Sequence, residues 1–341
     1  MSTELLLGGI MVAALVLYVL FGGADFGGGV WDLLASGPRK REQRALIEKA
    51  IGPIWEANHV WLILVVVLLF AGFPRAFAIL ATALHVPMTL FLLGVVARGS
   101  AFTFRAYDSR GDRQQKRWGM MFSLASLVSP VLLGMIVGTI ASGRIRVEGT
   151  TITSGFFMPW LSPFPLAVGA YALTLFAFLA AVYLCGEAGT DALKEDFRRR
   201  ALGSGVAVGL LALACFALSR RHAPVIALGL TDHPLTWPLH VITGLAATTA
   251  FYALFTRRFT LARGAAIVQA TMIVLGWAAS QYPYLVVPDV NLFAAAGNAR
   301  TRTLVLIALG VGSLLLFPSL YFLYRVFKGT SAFEALDKPR D

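Results

Sequence analysis

Between residues 51 and 63 the chain reads Ile-Gly-Pro-Ile-Trp-Glu-Ala-Asn-His-Val-Trp-Leu-Ile, so a carboxylate, an amide and an imidazole interrupt an apolar run. Pro53 suits a first helical turn, where its missing N–H is no loss and its φ is already helical. Carried on through Leu62 to Phe70, the helix is long enough to cross a bilayer core. Trp55, Glu56, Asn58 and His59 then lie inside a membrane helix, near one end. Helical spacing puts Trp55, Asn58 and His59 on one face and makes Glu56 and His59 an i, i+3 pair. Ionisable groups at such places mark proton or ion paths, and an imidazole, with an ordinary pKa of about 6.5, suits proton exchange. The plainer reading of Glu56 is a first-turn acid favoured by the helix dipole, with Trp55 and Trp61 as interfacial anchors.

Two more charges belong at the same depth. Helix 1 carries Phe21-Gly-Gly-Ala-Asp-Phe-Gly-Gly-Gly-Val-Trp-Asp32, in which Gly23 and Gly27 form a small-xxx-small pair around Asp25. Asp25 lies about 30 Å down the axis from Leu5, and Glu56 about 5 to 8 Å inside the start of the returning helix. Arg98 ends the third apolar stretch. The three form a set of opposite charges whose pairing would lower the cost of holding them there. Asp25 reads alternatively as a snorkelling or cap-like acid in a packing groove, and Arg98 as part of a basic belt.

The elements that must position these groups follow from composition. With 57% hydrophobic residues, 14% charged and a mean hydropathy of +0.73, the chain lies outside soluble globular composition. It is an all-α polytopic membrane protein. Candidate helices span 4–33, 51–72, 76–98, 118–140, 164–185, 201–219, 235–255, 263–285 and 303–326, which makes about nine. They form one integral domain over 1–341, naturally two four-helix bundles plus one peripheral helix.

The net charge of +11 raises nucleic acid as a partner, but 22 of the 29 Lys and Arg fall on one side of the membrane. That asymmetry accounts for the basic balance without nucleic acid, and it places the N-terminus outside and the C-terminus in the cytoplasm. A start of Met-Ser-Thr-Glu lacks the basic region of a cleaved signal peptide, so the first helix is expected to be retained. The segments Ser36–Lys49 and Gly186–Arg200 read as solvated loops that set orientation, and 141–163 as a connection folded over the outer surface. Pro87 should bend the third helix and free a carbonyl that His85 could satisfy.

Chemistry can be narrowed by exclusion. Cys185 and Cys215 are too far apart in sequence, without Cys-x-x-Cys, for a disulfide frame, zinc or iron–sulfur reading. His222, His233 and His240 fit no metal spacing. No phosphate loop, dinucleotide fingerprint or Ser/His/Asp order is present. His59 and His85 lie at unmatched depths, about 12 and 20 Å from the inner end, so the chain is not expected to hold a haem by itself. A proton-handling partner subunit, a purely structural assembly subunit, or a secondary transporter using Asp25 in a glycine-broken helix 1 remain.

The combination Gly23-Ala-Asp-Phe-Gly27, Gly52-Pro-Ile-Trp-Glu-Ala-Asn-His-Val-Trp-Leu-Ile63, Phe73-Pro74, Arg98 with Phe104-Arg105, Leu161-Ser-Pro-Phe164 and Tyr282-Pro283 resembles subunit II of the cytochrome bd quinol oxidases. The resemblance covers helices 1 to 5 and the end of helix 8, and the second motif is its most specific part. It implies a bacterial inner-membrane complex that oxidises quinol and reduces O2 to water. Two b haems and haem d, together with the quinol site, would belong to the partner, subunit I; a small accessory subunit is compatible with it. By motif, Trp55 and Glu56 match the Trp-acid pair of a cytoplasmic proton pathway, with Asp25 and Arg98 beside it. Some members carry Asp at position 56, and His59 is not required by the family pattern.

Overall fold

A computed structural model describes residues 2–51, 55–107, 112–149, 151–232, 234 and 236–328. Pro53 and His233 fall outside the described residues, as does the side chain of Trp55. Helix α1 (Thr3–Leu33) begins at Ser2, whose hydroxyl accepts the Leu5 N–H, and runs unbroken through its glycines. The glycine-broken helix required by the transporter reading is therefore not formed. The glycines serve close packing instead. A Cβ at Gly27 would overlap the Phe176 carbonyl, one at Gly23 the Phe176 ring, and one at Gly29 the Ser126 side chain. The small-xxx-small pair thus seats α1 against α7 (Pro163–Glu187), and Gly29 seats it against α6 (Asp112–Ser142).

The expected loop 36–49 is largely helical. α2 (Lys40–Ile51) is amphipathic, burying Gln43, Ile47 and Ile51 and turning its charges outward. α3 (Trp55–Gly72) follows, and with α2 it forms a pair bent by 53°. The single helix expected over 76–98 is two. α4 (Pro74–Ala83) stops at Leu84, and α5 (His85–Tyr107) runs nine residues beyond Arg98. The break falls just before the position where Pro87 was expected to bend the chain, and His85 Nδ1 lies 2.9 Å from the Thr82 carbonyl oxygen.

α8 (Asp191–His222) also begins earlier than hydropathy indicates. Thr190 caps it by accepting the Leu193 N–H, so the Arg198–Arg200 run lies on a helix rather than a loop. α9 (Pro224–Asp232), α10 (Thr236–Phe255), α11 (Phe259–Gln281) and α12 (Ala299–Lys328) complete the helices. Among the described residues eight helices are long and apolar enough to cross a membrane, or nine if α2 and α3 count as one bent span.

α1, α3, α5 and α6 form one group, and α7, α8, α10 and α11 a second, joined where α1 and α6 meet α7. α12 touches α3 and α1 from outside, and its most apolar stretch is entirely unburied. At the end opposite α2, two antiparallel hairpins close the surface: β1 (Val147–Glu148) with β2 (Thr151–Ile152), and β3 (Tyr284–Val286) with β4 (Val290–Asn291). Asp289 ties them together, accepting the Val147 N–H at 3.0 Å and pairing with Arg146 at 3.4 Å. The 141–163 connection is folded down as its composition indicated, with Trp160 buried.

Candidate functional site

Asp25 is carried into the interior by the close α1–α7 contact and is only 5% exposed. Asn58, on the α3 face opposite, is 1% exposed and donates from Nδ2 to Asp25 Oδ2 at 2.7 Å. A buried carboxylate needs such donors, because burial removes the water that would otherwise hold its charge. The adjacent His59 packs its ring against Tyr18 and, edge-on, against Phe26, at centroid distances of 5.9 and 5.6 Å.

Arg98 reaches the same region from α5. It is 1% exposed, so the basic-belt reading does not hold: the helix runs on past it, and the guanidinium turns inward. Its Cζ lies 4.9 Å from the Phe26 ring centroid and 5.2 Å from that of Phe122, and Nε donates to Ser126 Oγ at 3.1 Å. Ser126 in turn donates to the Phe122 carbonyl at 2.7 Å. Aromatic faces and a hydroxyl compensate part of the lost hydration. Asp25 supplies negative charge within electrostatic reach. The structure thus gathers Asp25, Asn58, His59 and Arg98.

Glu56 is not in that gathering. Its side chain is exposed on the outer side of α3. Glu56 and Asn58 are two residues apart, about 200° around a helix, so the face that brings Asn58 to Asp25 turns Glu56 away. The expected three-charge set is therefore reduced to Asp25 and Arg98 within this chain.

A second buried acid was missed. Asp32, 1% exposed, ends the glycine-rich stretch of α1. It accepts from Ser123 Oγ at 2.9 Å and from Arg105 Nη1 at 3.2 Å, with Arg44 Nε at 3.7 Å. Arg44 also donates to the Asp32 carbonyl at 3.2 Å, and Arg105 pairs with Glu48 at 3.4 Å. The detectable signal is an Asp at a helix end facing Arg105 and the basic stretch 39–44, which reads as an orientation signal alone.

Asp25 and Asn58 line the inner part of a cavity of about 400 Å³ between α1, α2, α3, α7 and α11. Ala24 and Gly28 form its α1 wall, Ala50 stands at the end of α2, and Glu187 and Arg263 line it at the helix ends.

No cluster of three or more His, Cys, Asp or Glu able to hold a metal is found among the described residues. Nor do His59 and His85 fit a haem. The first is wedged between two aromatic rings, and the second is exposed, bonded to a carbonyl and packed on Phe156. His222 lies 3.3 Å from Arg144 Nη2, and His240 Nε2 lies 2.9 Å from the Leu230 carbonyl.

Fold and site together define a class: a predominantly helical, multi-pass membrane protein whose polar side chains collect inside the bundle around two buried acids. Residues 3–327 match the family described as cytochrome bd terminal oxidase subunit II. A putative cytochrome bd menaquinol oxidase subunit II of Bacillus subtilis is 21% identical over 328 residues, 91% of each chain. The cytochrome bd-I ubiquinol oxidase subunit 2 of Escherichia coli K12 is 26% identical over 214 residues, 62% of this chain and 54% of that one. A chain in the structure of bd oxidase from Geobacillus thermodenitrificans superposes with a TM-score of 0.78 at 25% identity, covering 96% of this chain and 99% of that one. The chain belongs to the cytochrome bd terminal oxidase subunit II family. It is a bacterial membrane protein and a subunit of a quinol oxidase complex, an oxidoreductase, that includes subunit I.

Proposed function

We propose that this chain supports the haem-bearing subunit I and provides a proton pathway from the cytoplasm towards it. Reduction of O2 to water consumes a proton for every electron taken from quinol, and those protons must cross low-dielectric protein to reach the oxygen site. Asp25, Asn58, His59 and Arg98 are the groups in this chain that would hold and pass them. The observation that carries this reading is the buried Asp25–Asn58 hydrogen bond beside Arg98 and open to a cavity. Ionisable groups inside a membrane bundle are retained where they do work.

Trp55 and Glu56 complete the pathway, with Glu56 at the subunit boundary. An acid exposed on a membrane helix is costly against lipid, so the exposure of Glu56 fits a position covered by subunit I. The b haems and haem d reside on that partner, in keeping with the poor fit of His59 and His85 as ligands. The basic end of the molecule, with α2 and the starts of α6 and α8, faces the cytoplasm, in keeping with its share of Lys and Arg.

The test is Asp25→Asn in the intact complex. Quinol-driven oxygen uptake per haem should fall at least about tenfold, about 1.4 kcal/mol of barrier, with the haem bands retained. Undiminished turnover would remove Asp25 from the pathway.

A further inference from the structure

We infer that the cavity between α1, α2, α3, α7 and α11 is the aqueous intake through which cytoplasmic protons reach Asp25, and that Glu187 and Arg263 stand at its mouth. This rests on the proton-pathway reading above and names the access route to the same site.

The cavity runs along a largely apolar wall that carries polar groups towards both of its ends. Asp25 lies eight residues before the end of α1, about 12 Å inside the basic face at 1.5 Å per residue. Glu187 is the last residue of α7, and Arg263 lies in the second turn of α11, so the cavity runs from helix ends to the buried acid. A volume of about 400 Å³ holds on the order of ten waters at roughly 30 Å³ each, and the carboxylates, the Asn58 amide and the Arg263 guanidinium give them polar partners. A channel lined only by apolar groups would stay dry.

The mouth has its own signature. A Glu in the last turn of a helix opposes the dipole, which favours cations there. Glu187 therefore gains nothing from the α7 dipole. It faces Arg263, with Oε1 3.8 Å from Nη1, and both side chains are partly exposed. The guanidinium also lies 4.9 Å from the ring centroid of Tyr183, another residue of the cavity wall. A loose, partly exposed ion pair is held weakly and opens at little cost. Opening of the pair clears the mouth, and from there the cavity leads past Tyr183 to Asp25.

The experiment reads access and turnover separately, in the whole complex in membrane vesicles. Ala24→Cys places a thiol in the wall beside Asp25. A cationic, membrane-impermeant methanethiosulfonate should modify it above the level of the parent complex with its natural cysteines, and only from the cytoplasmic face. Ala50→Trp, which narrows the passage without touching a titratable group, should slow that modification at least about tenfold, because reaction requires reagent access to the thiolate. Glu187→Gln should lower oxygen uptake per haem about threefold to tenfold, less than Asp25→Asn does. If Ala24→Cys does not assemble, Ile267→Cys on the opposite wall serves instead.

A thiol silent from both faces overturns the intake while leaving the Asp25 pathway intact, as does modification from the outer face alone. A labelled thiol with normal turnover in Asp25→Asn overturns the pathway and the intake with it. Labelling blocked by Ala50→Trp, with slowed uptake in both Ala50→Trp and Glu187→Gln, is the supporting result.

Discussion

Two aspartates seven residues apart on α1 are both almost sealed from solvent, yet they are held in different ways. Asp32 is fully engaged: Ser123 on one oxygen, and Arg105 with Arg44 on the other. Asp25 is met at contact distance by a neutral amide, with Arg98 acting on it electrostatically, and it opens onto a cavity. The Asp32 carboxylate ties α1 to α2, α5 and α6 through these contacts. Asp25 instead joins α1 to α3 through the Asn58 amide, at the inner part of a cavity. Equal burial thus goes with unlike surroundings: a cation clamp for Asp32, and an amide and a cavity for Asp25.

The largest effect expected from this contrast is on assembly. Asp32→Ala removes the carboxylate that Arg105 and Arg44 share, and breaking a buried pair costs about 3–5 kcal/mol, an upper bound here because both arginines keep some contact with solvent. The yield of intact complex and its thermal midpoint in detergent should fall sharply, while molecules that do assemble turn over at a normal rate per haem. A variant that assembled well but turned over slowly would give Asp32 the role assigned to Asp25 and break the comparison.

Asn58→Leu probes the other acid. The exchange removes the 2.7 Å donor and leaves a buried acceptor less satisfied, a loss of about 1–3 kcal/mol if Asp25 stays charged. Should Asp25 protonate instead, the stability loss shrinks and oxygen uptake per haem drops, with a shifted pH dependence. Equal losses of stability and no change in uptake would make the Asp25–Asn58 contact a structural one, like that of Asp32.

Much of this contrast was legible beforehand, and the rest was hidden for identifiable reasons. The spans, the α1 glycines and the depth of Asp25 follow from apolar run length and small-residue spacing, and these survive small errors in helix boundaries. Side-chain direction does not. Grouping Glu56 with Asp25 and Arg98 by depth alone overlooks the half-turn between Glu56 and Asn58, which exposes the first and buries the second. Arg98 was taken for a helix end because hydropathy falls there, although α5 continues as a polar-ended helix to Tyr107. α2 was taken for a loop because its charges outnumber its apolar residues; Gln43, Ile47 and Ile51 nonetheless recur at i, i+4, i+8 and mark a buried stripe. The Asp32 clamp depends on partners 12, 73 and 91 positions away, which no local pattern brings together.

Ser123→Ala sharpens the comparison from within the clamp. The hydroxyl is one of three groups on Asp32, and its bond is charge-assisted, so its loss should cost about 1–2 kcal/mol, well below that of Asp32→Ala. Thermal midpoints of the two variants, measured side by side, separate a shared load from one carried by a single contact. A Ser123→Ala variant as damaged as Asp32→Ala would mean that the arginines alone do not hold the acid.

The smallest effect is expected where geometry is best but water is near. Asp196 accepts from Arg39 through two oxygens, at 2.6 and 2.8 Å, and from Gln43 at 2.9 Å, a more regular arrangement than that of Asp32. Hydrogen bonding to Asp196 raises the Arg39 pKa further above the physiological range, so the cation persists at every working pH. Yet Arg39 and Asp196 are 38% and 17% exposed, against 1% for Asp32. Solvent and salt screen the pair, and Gln43 and Arg200 continue to join α2 to α8 when Arg39 is lost. Arg39→Ala should therefore leave the thermal midpoint unchanged within measurement, and any difference from the parent should fade as salt is raised. A loss approaching that of Asp32→Ala would show that pairing geometry, rather than exclusion of water, sets the strength of these clamps.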